Sequence, residues 1–311
     1  MEFRHIPVLC EESVSALEIK PEGVYVDCTL GGGGHASRIA KRLTTGRLIG
    51  VDQDQDAVDA AAKTLSNFGR QIIIVRNNFS DIKNILASLN IGKADGFLMD
   101  LGISSYQVDN AERGFSYMRN ADLDMRMDIS NELTASLVVN TYDEARLIKI
   151  FSDYGEERYS RRIAKAIIKA RSRKPLKTTF ELSDLIKSSL PGQSKKGGSH
   201  PAKRVFQAIR IEVNGELTVL NSALIDIIEL LNPGGRLCVI GYHSLEDRVV
   251  KRCFRYWASP CECPPKLPCV CGLKPRIKIV SKKPVIPSAG ETANNHRARS
   301  AKLRVAEKID E

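Results

Sequence analysis

The sequence predicts an α/β protein with a parallel, Rossmann-like sheet, and three observations support this prediction. In residues 1–100, four short apolar segments alternate with amphipathic segments of helical periodicity. A run of glycines, residues 31–34, follows the first apolar segment, and aspartates end three of the four segments. Strands that alternate with helices form parallel sheets, which bind ligands beyond the carboxyl ends of their strands. We therefore expect the glycines and the aspartates at one binding edge.

The first half of the chain contains the alternating elements, each justified by the spacing of its apolar residues. Strands have short β-branched runs, whereas helices have apolar residues every three or four positions. In chain order we predict a helix at 11–17, a strand at 24–27, a helix opening at 34–36, a strand at 47–52, a helix at 56–68, a strand at 71–75, a helix at 82–89 and a strand at 96–99.

From about Gln107 to Thr218 the alternation stops and helical patterns dominate. We interpret this segment as a helical insertion in the sheet domain, which gives the domain boundaries 1–106, 107–218 and 219–311. The predicted helices of the insertion are 135–140, 142–151, 160–170 and 180–188.

The sheet domain resumes after the insertion. An apolar helix at 220–231 is stopped by Asn232-Pro233-Gly234-Gly235, and a fifth strand follows at 236–241. Ser244 is predicted to cap the next helix, with Asp247 as its partner. The final strands are predicted at 276–286 and 301–309.

The glycine loop and Asp52 predict a site for an adenosine-containing cofactor. Glycines 31–34 permit positive φ and carry no Cβ, so a ligand can lie against the backbone. Asp52 follows the loop by about 20 residues, where its carboxylate can accept hydrogen bonds from ribose hydroxyls. A tight turn is the alternative interpretation of the glycines. No Gly-Lys-Ser or Gly-Lys-Thr follows, so the loop is not a Walker phosphate loop.

Other side chains are predicted at the same edge. Asp27 and Asp100 end the first and fourth strands, and Phe79 follows the third. Phe79 can stack on the cofactor base or belong to an ordinary core. One dinucleotide-type half with terminal strands suits a class I S-adenosylmethionine-dependent methyltransferase better than a nicotinamide dehydrogenase, since a second glycine fingerprint is missing.

The net charge of +10 is unevenly distributed along the 311 residues. Residues 1–156 carry 16 basic and 23 acidic side chains, and the remaining residues carry 31 and 14. A basic half of this kind predicts a surface for a polyanion, although a merely soluble basic protein is the alternative. The sequence has no run of about 18 apolar residues and no basic-then-apolar signal pattern, so we expect a cytoplasmic protein without a membrane segment.

The strongest basic segment is 158–174, with eight basic residues and no acid. Its apolar residues recur on one helical face, so the other face is predicted to be positive and to bind phosphates. A basic C-terminal tail, with ten basic residues and two acids between Lys274 and Lys308, is predicted to assist. The RNA-binding candidates on the helix are Arg158, Arg161, Arg162, Lys165 and Lys169.

A cysteine cluster has the pattern Cys-x-Cys-x5-Cys-x-Cys. Four thiolates suit tetrahedral zinc, although ligand pairs usually have two intervening residues. A reduced, proline-stiffened loop and a disulfide are the alternatives. The candidate ligands are Cys261, Cys263, Cys269 and Cys271.

Longer motifs give a more specific indication and extend over nearly the whole chain. The motifs are His5-Ile6-Pro7-Val8-Leu9, Gly33-Gly34-His35, Asp100-Leu101-Gly102-Ile103-Ser104-Ser105, Glu112-Arg113-Gly114-Phe115-Ser116, Leu123-Asp124-Met125-Arg126-Met127-Asp128, Tyr154-Gly155-Glu156-Glu157-Arg158, His200-Pro201-Ala202, Phe206-Gln207-Ala208 and His243-Ser244-Leu245-Glu246-Asp247-Arg248. In these motifs the sequence resembles the ribosomal RNA small-subunit methyltransferase H family, also called MraW.

The resemblance implies S-adenosylmethionine-dependent N4-methylation of a cytidine in the decoding region of small-subunit ribosomal RNA. Two departures from the family pattern, Asn120-Ala121-Asp122 and His296, concern only local loops. The substrate is either free rRNA or the assembled small subunit, and a homodimer is left open. The cofactor contacts that the resemblance implies are Gly33, Gly34, His35, Asp52, Phe79, Asp100 and Gln107.

The chemistry of a cytosine amine suggests two catalytic candidates. Its nitrogen lone pair is delocalised into the ring, so an enzyme must orient the amine and accept a proton. We assign Asp100 to hold the cofactor or the amine. We expect Tyr242-His243, at the end of the fifth strand, to lie across from Asp100 near the base, although a helix-entry role for His243 is the alternative. A non-catalytic RNA-binding or ribosome assembly factor is the second functional hypothesis, and a nicotinamide oxidoreductase the third.

Overall fold

The structure, a computed structural model, describes residues 7–191, 200–264 and 269–309. The motif residues His5 and Ile6 lie outside these ranges. The chain forms two compact units. One consists of Met1–Gly102 with Leu217–Glu311, and the other of Ile103–Glu216.

Helices and strands alternate through the first unit, as expected for an α/β protein. The strands are β1 Val24–Asp27, β2 Arg47–Asp52, β3 Ile72–Arg76, β4 Ala94–Asp100, β5 Leu231–Gly241, β6 Ile277–Ile279 and β7 Lys302–Lys308. The α-helices of both units are α1 Cys10–Ala16, α2 Gly34–Ala40, α3 Gln55–Leu65, α4 Ile82–Ser88, α5 Ser105–Asp109, α6 Ala135–Thr141, α7 Glu144–Asp153, α8 Ser160–Arg171, α9 Thr179–Ser189, α10 Lys203–Asn214, α11 Glu216–Leu230, α12 Ser244–Ala258 and α13 Ala289–Asn294.

Within the described ranges, seven strands form one sheet in the order β3-β2-β1-β4-β5-β7-β6. Strands β1 to β5 are parallel, whereas β7 runs antiparallel to both β5 and β6. The order reverses between β1 and β4, the position at which open α/β sheets bind ligands. The predicted fold class is therefore confirmed, and the candidate site belongs at the carboxyl ends of β1, β2, β4 and β5.

Both faces of the sheet are covered, because its central strands are apolar on both sides. In β4, Phe97 and Met99 pack on the side that α4, α11 and α12 cover, while Leu98 packs on the side of α1, α2 and α3. In β5, Val239 and Ile240 divide between the same two clusters. Parallel strands buried on both faces have this continuous apolar composition.

The second unit has its own core, formed by side chains from α6 to α10 and from the segment between α5 and α6. The buried Arg113 donates from Nη2 to the carbonyl oxygens of Arg126 and Met127, both at 3.0 Å. Gly114 has φ 71°, and a Cβ there would lie 2.3 Å from the Asp122 carbonyl oxygen. The motif residues 112–116 and 123–128 therefore stabilise the loops of this unit.

The fifth strand differs from the prediction. It begins at Leu231 instead of Arg236, and the Asn-Pro-Gly-Gly segment lies inside it as an irregularity opposite β4. Gly234 adopts φ 72° there, a conformation that glycine accepts without strain. The local sequence of residues 232–235 indicates a break, but the strand includes them because Leu231 and Arg236 on either side both pair with β4.

Of the two final strands predicted, one is confirmed and one is shorter than expected. Residues 302–308 form β7 inside the sheet, as predicted for 301–309, whereas of the predicted strand 276–286 only Ile277–Ile279 is β6. Several of the cations have partners within the unit: Arg304 pairs with Asp247, and the buried Lys308 donates to the Ile228 carbonyl oxygen at 3.2 Å. The segment is part of the sheet because Leu303 and Val305 alternate with polar residues and pack on the core.

Across residues 7–191, 200–264 and 269–309, no helix combines the length and the apolarity that a membrane span requires.

Candidate active site

Three aspartates meet at the carboxyl edge of three adjacent strands. Asp27 ends β1, Asp52 ends β2 and Asp100 ends β4, with β1 between the other two. Burial, the largest cause in each case, raises the pKa of Asp27 and of Asp52 to about 6 and that of Asp100 to about 7. This edge therefore contains carboxyl groups that titrate close to neutral pH.

Asp52 fixes the start of the glycine loop. Its Oδ2 atom accepts a hydrogen bond from the Gly31 N–H at 2.8 Å, and its Oδ1 atom accepts one from the Asp54 N–H at 3.0 Å. Asp54 in turn caps α3, since its side chain accepts the Asp56 N–H. Each carboxylate oxygen of Asp52 retains lone-pair capacity for a further donor. The residue can thus hold both the loop and a ligand hydroxyl.

Different physical constraints act at the four glycine positions of the loop. A Cβ at Gly32 would meet nothing within 4 Å, and one at Gly31 would only reach the Thr29 carbonyl oxygen at 4.0 Å. In contrast, a Cβ at Gly34 would lie 2.6 Å from the Pro7 Cγ atom, and Gly33 has φ 80° beside Leu65. Packing and backbone conformation require Gly33 and Gly34, and backbone conformation also requires Gly31, which has φ 50°. The open space lies beside Gly31 and Gly32.

Asp100 forms a short hydrogen bond with a residue from the end of β5. The Tyr242 hydroxyl donates to Asp100 Oδ1 at 2.6 Å, and the Asp100 side chain is 15% exposed. This hydrogen bond lowers the pKa of Asp100 against the larger effect of burial, and the same burial raises the Tyr242 pKa well above its usual value. The phenol thus stays protonated and favours the ionised form of Asp100.

His35 is buried beside this pair. Its Nε2 atom lies 3.1 Å from the Val8 carbonyl oxygen, so Nε2 carries the proton, and burial lowers the pKa of the imidazole. Its Nδ1 atom is 3.7 Å from Asp100 Oδ2, too far for a direct hydrogen bond. The ring of His35 holds the N-terminal segment against α2. Because the ring is occupied in this way, His35 can contact a ligand through its backbone groups.

Asp27 contributes an acceptor oxygen that none of the described residues uses. Its Oδ1 atom accepts the Thr29 N–H at 3.2 Å, whereas its Oδ2 atom is buried and has no hydrogen-bond partner among the described residues. A buried carboxylate oxygen without a donor is costly, unless a ligand supplies one. The edge of the sheet is therefore suited to a ligand with a cationic or N–H group.

The cap of α12 corrects the predicted roles of Ser244 and Asp247. His243 occupies the N-cap position, and its Nδ1 atom accepts the Glu246 N–H at 3.3 Å. Glu246 reaches back, and its Oε2 atom accepts the backbone N–H groups of Tyr242 at 2.7 Å and His243 at 3.1 Å. Asp247 instead pairs with Arg304. Glu246, which is buried at the third helical position, completes the capping box. The prediction missed this residue because it placed the cap at Ser244 instead of His243.

Two predicted cofactor contacts lie in other environments. Phe79 begins a 3-10 turn, Phe79–Asp81, and packs half-buried against the core on the α4 side. Gln107 belongs to the second unit, where its Oε1 atom accepts the Ser104 N–H at 3.0 Å in the capping box of α5. Both contacts therefore remain predictions.

The RNA-binding candidates lie in the second unit, at and just before α8. Arg161, Lys165 and Lys169 are exposed at intervals of four residues, and Arg162 is exposed next to this stripe. None of these four side chains forms an ion pair within residues 7–191, 200–264 and 269–309. In contrast, Arg171 donates to the Val139 carbonyl oxygen at 2.8 Å. Arg158, also exposed, lies with its guanidinium 5.3 Å from the Tyr159 ring centre.

Thr29 is a site residue that the sequence pattern did not single out. Its hydroxyl accepts the Asp100 N–H at 2.6 Å and so links the loop after β1 to the end of β4. Tyr242 was expected across from Asp100 at the end of the fifth strand, and its hydroxyl does contact the Asp100 carboxylate. The pairing of β4 with β5 brings the two residues together.

The strand order, with β7 antiparallel between β5 and β6, and the acidic edge with its glycine loop define a class I S-adenosylmethionine-dependent methyltransferase. Residues 2–309 match the MraW methylase family, and the chain belongs to this family. It is 53% identical to ribosomal RNA small subunit methyltransferase H of Lachnospira eligens, over 99% of each chain. It is 54% identical to the Clostridium botulinum (strain Kyoto) protein of that name, over 99% of this chain and 100% of the relative.

The residues at the sheet edge fit S-adenosylmethionine, the cofactor of this class. The Oδ2 atom of Asp27, which has no donor in the described part of the chain, is an acceptor of the kind that an ammonium group needs, and Asp52 has capacity for a ribose hydroxyl. The space beside Gly31 and Gly32 leaves the loop backbone accessible. When bound, S-adenosylmethionine supplies an electrophilic methyl group on a sulfonium.

The role of Asp52 can be tested by Asp52→Asn. We expect the dissociation constant of S-adenosylmethionine to rise about 10- to 100-fold, because charge-assisted hydrogen bonds contribute about 1.5–3 kcal/mol. Asp59→Asn makes the same chemical change on the exposed surface of α3 and should leave the constant unchanged. Calorimetric titration measures both, and an unchanged constant in Asp52→Asn would remove the residue from the cofactor site.

Proposed function

We propose that this chain transfers the methyl group of S-adenosylmethionine to the N4 amine of a cytidine in the decoding region of small-subunit ribosomal RNA. Relatives named ribosomal RNA small subunit methyltransferase H match the chain over nearly its whole length, which supports an rRNA substrate. The contact that most supports amine chemistry is the hydrogen bond from Tyr242 to Asp100, since it holds a carboxylate at the binding edge.

The reaction requires a proton acceptor with an appropriate pKa. The N4 amine is a weak nucleophile and loses a proton when it becomes methylated, so a base near the nitrogen assists the transfer. Asp100, with a pKa of about 7, is ionised in a large fraction of molecules at neutral pH and is basic enough to accept that proton. We assign Asp100 as the group that orients the amine and accepts its proton.

His243 is less suited to act as the base. Because its Nδ1 lone pair accepts the Glu246 N–H, the proton of the neutral ring is on Nε2. The Nε2 atom is buried 3.2 Å from Glu246 Oε1 and has no hydrogen-bond partner among the described residues. The cap that His243 forms with Glu246 also fixes the backbone at Tyr242. We therefore propose that His243 positions Tyr242 against Asp100.

The exposed stripe on α8 is our proposed contact for RNA phosphates. Arg161, Lys165 and Lys169 repeat at four-residue intervals along one line of the helix. The opposite face, with Ile163 and Ile167, is buried in the core of the second unit. A helix held by its apolar face and presenting a row of cations suits a phosphate backbone.

The proposed function is tested by methylation of small-subunit rRNA, offered both as free RNA and as assembled subunits from cells that lack this chain. We expect N4-methylcytidine at one decoding-region position, and at least about a 100-fold lower rate with Asp100→Asn, as for loss of a catalytic base. Methylation at another atom would contradict the proposal. Failure to bind S-adenosylmethionine would support the assembly-factor hypothesis.

The pH dependence of kcat/KM for S-adenosylmethionine identifies the base. If Asp100 must be ionised, the rate rises with pH through about 7. Tyr242→Phe removes the hydrogen bond that stabilises the carboxylate, so the inflection should move to higher pH. His243→Asn keeps a capping oxygen and should keep the inflection. If the inflection disappears in His243→Asn, the base is His243 and not Asp100.

The α8 stripe is tested by reversing charges in unit 2. Lys165→Glu should raise the KM for rRNA, whereas Lys149→Glu, an exposed lysine on α7, serves as the matched control. In the triple variant Arg161→Glu, Arg162→Glu and Lys165→Glu, we expect the slope of log KM against log salt to fall by about 2, given about 0.7 per phosphate contact with a single strand. Equal KM values for both lysine variants would refute this role.

A further inference from the structure

Four cysteines converge in the loop between α12 and β6, away from the acidic sheet edge. The Sγ atoms of the four all lie within 4.8 Å of one another. The Sγ atom of Cys269 is 3.6 Å from that of Cys261 and 3.5 Å from that of Cys271. Because Cys269 is equally near two others, the arrangement singles out no pair for a disulfide. The members of this cluster are Cys261, Cys263, Cys269 and Cys271.

Apolar packing does not account for this convergence. In the described part of the loop after Pro260, residues 261–264 and 269–275, no residue is buried, and Val270 is 89% exposed. The base of the loop is closed by Arg276, whose N–H donates to the Trp257 carbonyl oxygen at 2.8 Å and whose guanidinium lies 4.8 Å from the Trp257 ring centre. These contacts fix where the loop begins and ends, but not the arrangement of its thiols.

We propose that the cluster binds one Zn²⁺ ion through four thiolates. Tetrahedral zinc with Zn–S bonds of about 2.3 Å places its sulfur atoms about 3.8 Å apart, which agrees with the observed separations. An iron–sulfur cluster contains several metal atoms between its cysteines and would hold them farther apart. On binding, each thiol releases its proton to solvent and no electron is transferred.

The proposed site is structural and independent of the methyl transfer. All four ligands come from the protein, so the ion has no open position for a substrate or water. Its effect is to cross-link the two cysteine pairs, 261–263 and 269–271, in a loop whose described residues, 261–264 and 269–275, are not buried. Metal ions stabilise small, core-poor segments in this way.

Metal analysis of the full-length protein, purified without an affinity tag that binds metals and then dialysed, tests the proposal. We expect about one equivalent of zinc per chain, as four ligands hold one ion. Cys261→Ser and Cys271→Ser should each retain at least about tenfold less zinc. Cys253→Ser removes a thiol from α12 outside the cluster and is the matched control, with zinc retained.

A second measurement applies if the cluster variants do not fold. Co²⁺ added to the reduced, metal-stripped wild-type protein should give the thiolate-to-cobalt charge-transfer absorption of a tetrahedral site, and added Zn²⁺ should abolish it. The proposal is overturned if the protein contains stoichiometric iron or copper, if mass spectrometry finds disulfides in place of metal, if Co²⁺ gives no such absorption, or if folded cluster variants retain zinc.

Discussion

Burial of three carboxylates at one edge of a parallel sheet is the constraint on which the site depends. Asp27, Asp52 and Asp100 are brought together because β1 lies between β2 and β4, and desolvation raises the pKa of each. Their charges are tolerated because the surroundings supply donors: the loop backbone for Asp52 and the Tyr242 hydroxyl for Asp100. The remaining oxygen of Asp27 has no such donor within the described residues. The same edge thus combines a scaffold for the glycine loop with capacity for a cationic cofactor.

The glycine loop shows that one motif can serve several physical purposes. Gly31 is held by Asp52, and Gly34 allows Pro7 to pack against the start of α2. The loop is accessible beside Gly32, but it is tightly packed at the next two residues, Gly33 and Gly34. His35 also has a structural role, because its buried ring anchors the backbone at Val8. Residues next to a cofactor site therefore shape the loop as much as they contact the ligand.

Two basic segments of the sequence differ in how their charges are placed in the structure. The helix α8 keeps its cations exposed, because an amphipathic helix separates polar from apolar residues by local periodicity alone. Several of the C-terminal cations have acidic partners, since β6 and β7 bring them beside Asp247, Glu229 and Glu307. Net charge in a segment consequently indicates an RNA surface only when the cations lack partners in the fold.

The sequence by itself determined the α/β class, the strand ends at Asp27, Asp52 and Asp100, the apolar and basic faces of α8, and, through its motifs, the family. These features depend on neighbouring residues, whose periodicity and turn chemistry are local. Only the tertiary structure decided that β5 begins at Leu231, that His243 caps α12 with Glu246, that the Tyr242 hydroxyl donates to the Asp100 carboxylate, and that Arg304 of the C-terminal segment pairs with Asp247. The physical reason is that each of these outcomes depends on a partner distant in sequence or on competition between adjacent side chains for the same backbone donors, and burial and packing settle that competition.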